Sequence, residues 1–361
     1  MLLLPILLLP ILLLSAFSTS LPHPFSAPEA RACTAYYDDA SGLMMKSYDW
    51  KDGAGFLAYH PAGRTRVALQ TRDPGRPYQW QARYASVSFD QYGVGFSNGG
   101  INEKGLAVEV LWLDETRLPA PDERPYLNEL EWVRYQLETA ATLDELVTNA
   151  RSVRVSSIHG KVHYFACDEE GRCAAVEYID GSLQVHRGEE LTQPALTNHS
   201  YRDSLSFLSR FRGFGGSRPL LADQSRGSLP RFLQAARAAQ RGSMLPPDAA
   251  LRALRRVEIP GYTKWQISYQ LRARAISFRQ AGVLGTRSLS LDELQRRAPS
   301  CEEQLVYPLS GRVVGDLADA FRPLDDAENQ RSLRARFAKL ELPRALADRI
   351  AAHRPSCSTG Q

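Results

Sequence analysis

The sequence predicts an α+β fold in which two antiparallel sheets lie between layers of helices, and three observations predict it. Apolar or alternating strand-like runs arrive in blocks, and helical periodicities arrive in blocks between them. The two runs KVHYFAC and CAAVEYI are joined by the turn-like DEEGR, as in a hairpin. Beyond its first 32 residues the chain keeps about 330, with no repeat, low-complexity tract or Gly/Ser linker, which suits one large compact domain.

Taken in order, CTAYY, GLMMKSY, GFLAYH, RVALQ, ASVSF and LAVEVLW read as the first block of strands. Leu127, Leu130, Val133 and Leu137 then recur three to four apart on one helical face. Thr142-x-x-Glu145 forms a capping box that opens the next helix. VHYFAC and AAVEYI return to strand. PRFLQAARAAQR, with Pro230 in its opening turn, and PPDAALRALRRV are helical. WQISYQL closes the body as a late strand. From about Pro308 onward, DDAENQRSLRARFAKLELPRALADRIAAH reads as a helical extension that packs on the body or mediates assembly, with packing as the default reading.

The first residues have a different purpose. MLLLPILLLPILLL is too short and too rich in proline to span a bilayer, which takes about 20 apolar residues. An apolar run at the start followed by small and polar residues reads as a secretory signal peptide. Ala30-Arg31-Ala32 then presents a small-x-small cleavage pattern directly before Cys33. Cleavage there, or near Ser20 with later loss of a short propeptide, leaves Cys33 as the first residue of the mature chain. The expected organisation is a removed segment 1–32, a catalytic domain 33–307 and a C-terminal helical extension 308–361, in a periplasmic or secreted protein.

Composition excludes several classes. The net charge of +4 is small for 361 residues, and the basic residues are scattered rather than clustered, so no nucleic-acid partner is expected. No stable membrane span is expected after processing. No HExxH, CxxC or close His/Asp cluster appears, so neither a metal nor a cofactor is implied. A papain-like protease would also place a cysteine near a mature N-terminus, but its CGSCW-like context is missing, and His163, His186 and His199 stand in no paired motif.

Five cysteines in an exported chain raise the question of pairing. With Cys33 set aside, Cys167, Cys173, Cys301 and Cys357 allow three connectivities. Cys167 and Cys173 flank the DEEGR turn and fit across a hairpin, which leaves Cys301 and Cys357 to tie back the C-terminal tail. The odd cysteine carries the information. A thiolate attacks carbonyls well, but at a free pKa of ~8.5 little is ionised at neutral pH. A chain-terminal cysteine carries its own base, because an α-amine with pKa ~7.7–8.0 accepts the thiol proton and later protonates the departing amine.

The stretch CTAYYDDASGLMMKSYDW, from Cys33 to Trp50, resembles the opening of the choloylglycine hydrolase family, which holds bile salt hydrolases and penicillin V acylases. Further segments resemble that family in the same order: NGGINEKGLAVEVLW, LNELEWVRYQL, TLDELVTNA, ALTNHS, SLPRFLQAA and TKWQISYQL. The resemblance runs from Cys33 to about Arg279. It implies a four-layer αββα N-terminal-nucleophile fold and cleavage of a linear amide through an acyl-enzyme. It also implies roles: Cys33 as nucleophile, Asp49 holding the terminal amine, Asn198 donating to the oxyanion, and Arg231 in the charge network around them.

Two positions depart from the family pattern. Lys46 stands where the family has arginine three residues before the aspartate; it keeps a positive charge that favours thiolate but lacks the planar fork. Trp112 stands where bile salt hydrolases carry asparagine and penicillin acylases tyrosine. Its indole fills more space and donates one hydrogen bond, which points to a reshaped acyl pocket. The expected substrate is a small acyl amide, with penicillin V-like amides and N-acyl homoserine lactones ahead of conjugated bile salts, and a homo-oligomer (dimer or tetramer) is the expected assembly. The competing reading of another class is a lipoprotein-type binding module lipidated at Cys33.

Overall fold

In the computed structural model, residues 32–71, 73–158, 160–220, 226–242, 244–353 and 355–357 are described. The expected signal segment, and residues 30 and 31 of the expected cleavage pattern, lie outside them. Among the described residues the strands assort mainly into a seven-stranded and a nine-stranded sheet. The seven-stranded sheet runs in the order Ala195–Leu196, β1 (Ala32–Asp38), β2 (Leu43–Asp49), Thr263–Gln270, Ala275–Gln280, Arg287–Ser290 and Gly315–Asp316. Every pairing in it is antiparallel except the last. The antiparallel nine-stranded sheet centres on Val162–Cys167, Ala107–Trp112, Gly99–Asn102, Ser86–Asp90 and Phe56–His60.

Two apolar clusters show how the layers stack. One joins residues of both sheets (Cys33, Met44, Tyr48, Val87, Phe165, Trp265, Phe278) to Phe232 and Leu251 from helices on the far side of the seven-stranded sheet. The other packs Val108, Val110, Tyr164, Val176 and Tyr178 of the nine-stranded sheet against Trp132, Val133, Leu137 and Leu146. The result is helix, sheet, sheet, helix. A strand buried on both faces keeps its polar side chains only where each finds a partner. β1 and β2 are buried along their whole length, so Thr34, Lys46, Ser47 and Asp49 all face that demand.

The helices follow their sequence signals with some corrections. α1 (Glu129–Thr139) starts after Leu127, which instead sits in a two-residue strand paired with Arg154–Val155. Asn128 caps α1, accepting from Leu130 N and Glu131 N, while Glu131 reaches back to Asn128 N, a complete capping box that sequence reading missed. α2 (Leu143–Ser152) opens as expected on Thr142, but the Glu145 carboxylate accepts from Ala141 N rather than from Thr142 N. α3 (Tyr201–Leu208), α4 (Ser228–Ala239), α5 (Pro247–Ala253) and α6 (Leu291–Arg297) follow. The RVALQ run is strand only at its start, in Arg64–Val67.

The helical part of the C-terminal extension is two helices, α7 (Asp326–Lys339) and α8 (Arg344–Ala352), and before them Gly315–Asp316 and Arg322–Pro323 join the seven- and nine-stranded sheets, respectively. Glu341 turns the chain with φ 56°, Leu342 N closes back on Phe337 O at 2.8 Å, and Pro343 caps α8. Leu333, Phe337, Ala347, Ile350 and Ala351 pack on Leu69 and Phe96 of the body. Disulfides join Cys167 to Cys173 and Cys301 to Cys357, so the second bond fastens the end of this extension to the residues that precede it. None of the described helices is long and apolar enough to cross a membrane.

Candidate active site

The site begins with strand register. β1 and β2 pair Ala32 with Asp49, Cys33 with Tyr48, and Ala35 with Lys46. Side chains alternate across a sheet. Cys33, Lys46 and Tyr48 therefore face the nine-stranded sheet, and Thr34, Ser47 and Asp49 face α4. Cys33 is the free cysteine and is 4% exposed, and it is among the residues that line a cleft.

On the α4 side, the buried Arg231 organises the backbone of Cys33. Its Nη1 donates to Cys33 O at 2.5 Å and to Thr34 Oγ1 at 2.6 Å, and its Nη2 donates to Asn198 Oδ1 at 2.7 Å. Asn198 Oδ1 also accepts from Cys33 N at 2.8 Å. Asn198 Nδ2 donates to Trp112 O at 2.8 Å, which leaves that amide a second N–H. Ser228 Oγ, at the start of α4, accepts from Asn198 N at 2.8 Å and donates to Thr197 Oγ1. His163 supports the same turn from the other sheet, with Nε2 at 2.7 Å from Thr197 O and Nδ1 at 2.8 Å from Glu177. Burial alone would raise the Glu177 carboxyl, but the bonded His163, the nearby His186 at 3.4 Å and the Tyr201 amide hold it at about 2.

Asp49 is fully buried. Its Oδ1 accepts from Ser47 Oγ at 3.0 Å and Thr263 Oγ1 at 2.5 Å, and its Oδ2 lies 3.9 Å from Arg231 Nη1. That Oδ2 has no hydrogen-bond partner among the described residues, in a strand whose register sets Asp49 opposite Ala32. Burial raises the Asp49 pKa above the usual carboxylate value, with Arg231, Thr263, Ser47 and Lys46 opposing it. Burial likewise pushes the Cys33 thiol up. Lys46 is the strongest opposing influence, Asp49 adds to the rise, and the Asp49 amide and Arg231 pull it down.

Lys46 does bring positive charge to the thiol, but that charge is shared. Its Nζ sits 3.1 Å from Glu109 and donates to Val110 O at 2.6 Å. Tyr269 donates to Glu109 at 2.5 Å. Gly99 faces Glu109 across the strands, and a Cβ there would lie 2.3 Å from the carboxylate, so this glycine of the NGG segment leaves room for the ion pair.

Trp112 lines the cleft with its ring, 5.9 Å from that of Trp50. Its indole N–H donates to Asp114 Oδ1 at 2.7 Å. The cleft encloses about 760 Å³ counting its open mouth, and Cys33, Tyr48, Trp50, Val110, Trp112 and Val162 share its wall with Phe337, Leu342, Leu346 and Ile350 of the extension. The structure thus gathers Cys33, Asp49, Asn198 and Arg231 around one backbone, and places Lys46 and Trp112 beside them. Sequence reading passed over Thr34, Ser47, Thr263, Ser228 and Glu109. Only Glu109 announced itself, as a carboxylate in the apolar strand LAVEVLW that would need a buried partner. No group of three or more His, Cys, Asp or Glu side chains among the described residues is placed to hold a metal ion.

Helix, sheet, sheet, helix is the four-layer architecture that the resemblance implied, and solved structures match it. A penicillin V acylase from Agrobacterium tumefaciens aligns with a TM-score of 0.66 and 22% identity over 81% of this chain and 98% of that one. A variant of conjugated bile acid hydrolase from Clostridium perfringens aligns with a TM-score of 0.61 and 11% identity over 78% and 98%. In sequence, residues 75–252 match the linear amide C–N hydrolases, choloylglycine hydrolase family. The penicillin V acylase of Pectobacterium atrosepticum is 30% identical over 173 residues. That alignment spans 44% of this chain and 45% of the relative, less than half of its length. The likeness to the choloylglycine hydrolase family is shown for residues 75–252, which hold the segments from NGGINEKGLAVEVLW to SLPRFLQAA; the stretch Cys33 to Trp50 and TKWQISYQL lie outside that match.

Proposed function

We propose that this chain is an exported amidohydrolase that cleaves a linear amide between an acyl group and a small amine, with Cys33 as an N-terminal nucleophile. The family match and the acylase relative support the reaction class. The observation that carries the mechanism is Asp49 Oδ2, a buried acceptor with no hydrogen-bond partner among the described residues, set across from the residue that processing would remove. Loss of Ala32 converts the Cys33 amide into an α-amine with protons to spare. Asn198 Oδ1 already accepts from that nitrogen. Asp49 Oδ2 then supplies the acceptor for a second proton, which satisfies an atom that is otherwise costly to bury.

In the reaction, the neutral α-amine takes the thiol proton and Sγ attacks the amide carbonyl carbon. The oxyanion accepts the second Asn198 Nδ2–H and the C–N bond then breaks, with the ammonium returning its proton to the leaving amine. Water attacks the resulting thioester and the α-amine takes its proton; the C–S bond then breaks, the acid departs, and the ammonium returns the proton to Sγ. The aromatic and aliphatic cleft supports an aryl-acetyl or fatty acyl group, as in penicillin V-like amides and N-acyl homoserine lactones, ahead of a conjugated bile salt. Cys33→Ser tests the mechanism: it should fold as the wild type and lose nearly all turnover, and full activity in that variant sinks the assignment.

A further inference from the structure

We propose that the α7–α8 hairpin forms the far wall of the acyl site and sets the length of linear alkyl chain that the site accepts, an inference that rests on the amidase reading of Cys33. The cleft that opens on Cys33 is bounded by Phe337, Leu342, Leu346 and Ile350, all from the hairpin. These side chains come from both helices and the turn between them, so the wall depends on the hairpin's shape. Leu342 is placed by the left-handed Glu341 and by its own N–H bond to Phe337 O. Leu346 and Ile350 follow one and two turns on, at positions four apart on one face of α8.

The hairpin is also held against the body at the rim of the same cleft. Asp52, two residues after the cleft-lining Trp50, pairs with Lys339 Nζ at 2.7 Å and lies 3.5 Å from Arg336 Nε. Arg336 Nη1 donates to Gln91 O as well. Gly93, with φ 110°, lets α8 close in: a Cβ there would stand 2.7 Å from Ile350 Cγ2 and 3.2 Å from Leu333. Its neighbours Tyr92 and Phe96 line the cleft too. Three ties and a disulfide make this a fixed wall. An aryl-acetyl group need not reach it, whereas an extended alkyl chain running from Cys33 ends against it. Such a chain gains about fourfold in affinity for each methylene it buries, until it meets the wall.

Calorimetric titration of Cys33→Ser protein with butanoate, octanoate and dodecanoate tests this without turnover. Affinity should rise with length in the parent. Leu346→Trp, which fills the far end, should weaken dodecanoate by about tenfold or more and leave butanoate within about twofold. Leu342→Trp, at the half-buried turn, carries the same expectation should Leu346→Trp fail to fold. Equal losses for both acids, no loss for either, or affinity independent of length in the parent would overturn the proposal. Length-dependent binding by a chain whose wild type cleaves no acyl amide would keep the wall and remove the amidase reading; amide cleavage with length-independent binding would do the reverse.

Discussion

Arg231 and Cys33 meet at one atom of Asn198: Arg231 Nη2 and Cys33 N both donate to Oδ1, at 2.7 and 2.8 Å. Two donors on one atom fix that atom as the amide oxygen and turn Nδ2 the other way, toward Trp112 O. One side chain thus holds the Cys33 nitrogen and keeps a second Nδ2–H, which the proposed mechanism assigns to the oxyanion.

Asn198→Ala should therefore lower turnover by ~100–1,000-fold, the range for losing one oxyanion donor. Steady-state kinetics on a cleavable acyl amide measures it, and a tenfold or smaller loss would remove Asn198 from the oxyanion role. Asn198→Asp keeps an acceptor for Arg231 and the Cys33 nitrogen but has no N–H, so it should lose as much turnover with less stability.

The Lys46–Glu109 pair is fully buried, and removing one partner strands the other. Lys46→Met alone should cost ~3–5 kcal/mol in urea unfolding, and adding Glu109→Gln should recover a large part of that loss. Additive losses would show that the two charges are not coupled. Because Lys46 is the strongest influence holding the thiol down, Lys46→Met should also slow iodoacetamide alkylation of Cys33 at neutral pH.

Glu131 gives a pH dependence. Burial, opposed by the Asn128 and Leu69 amides, raises its carboxyl from 4.5 to about 7. The folded state then holds a proton that the unfolded chain has already released. Its contribution to stability is full below about 4.5 and is lost as pH rises through about 7. Urea midpoints should fall across that window for the wild type, and Glu131→Gln should flatten the slope whatever its absolute stability. A slope that persists in Glu131→Gln would assign the effect to another group.

Trp112 carries its ring to the cleft while its N–H is held by Asp114. Trp112→Asn should shift the ratio of kcat/KM between acyl groups more than it shifts the melting temperature. An unchanged ratio would return Trp112 to a packing role.

The inner strands were legible because strands buried on both faces are written as apolar runs, and β1 and β2 begin and end within a few residues of CTAYY and GLMMKSY. The strand Gly99–Asn102 was not, since glycine reads as turn; here it is small because Glu109 lies over it. Cys33, Asp49, Asn198 and Arg231 were found through motifs, but Thr263, which reaches Asp49 from a strand 214 residues away, leaves no local trace. The extension was read as helical and as packed on the body. Its break at Glu341 needed a left-handed residue that is neither Gly nor Asn, although Pro343 marked the place. That it walls the cleft is a matter of tertiary packing, which periodicity does not encode.

The central claim, that Cys33 works from the chain terminus, is tested most directly by the intact mass of the protein purified after expression of the full chain, before and after incubation with a panel of acyl amides. The account predicts a chain beginning at unmodified Cys33 that passes through an acyl adduct. A diacylglycerol on Cys33, or a chain that retains Ala32, would mean that no free α-amine exists there and would contradict it.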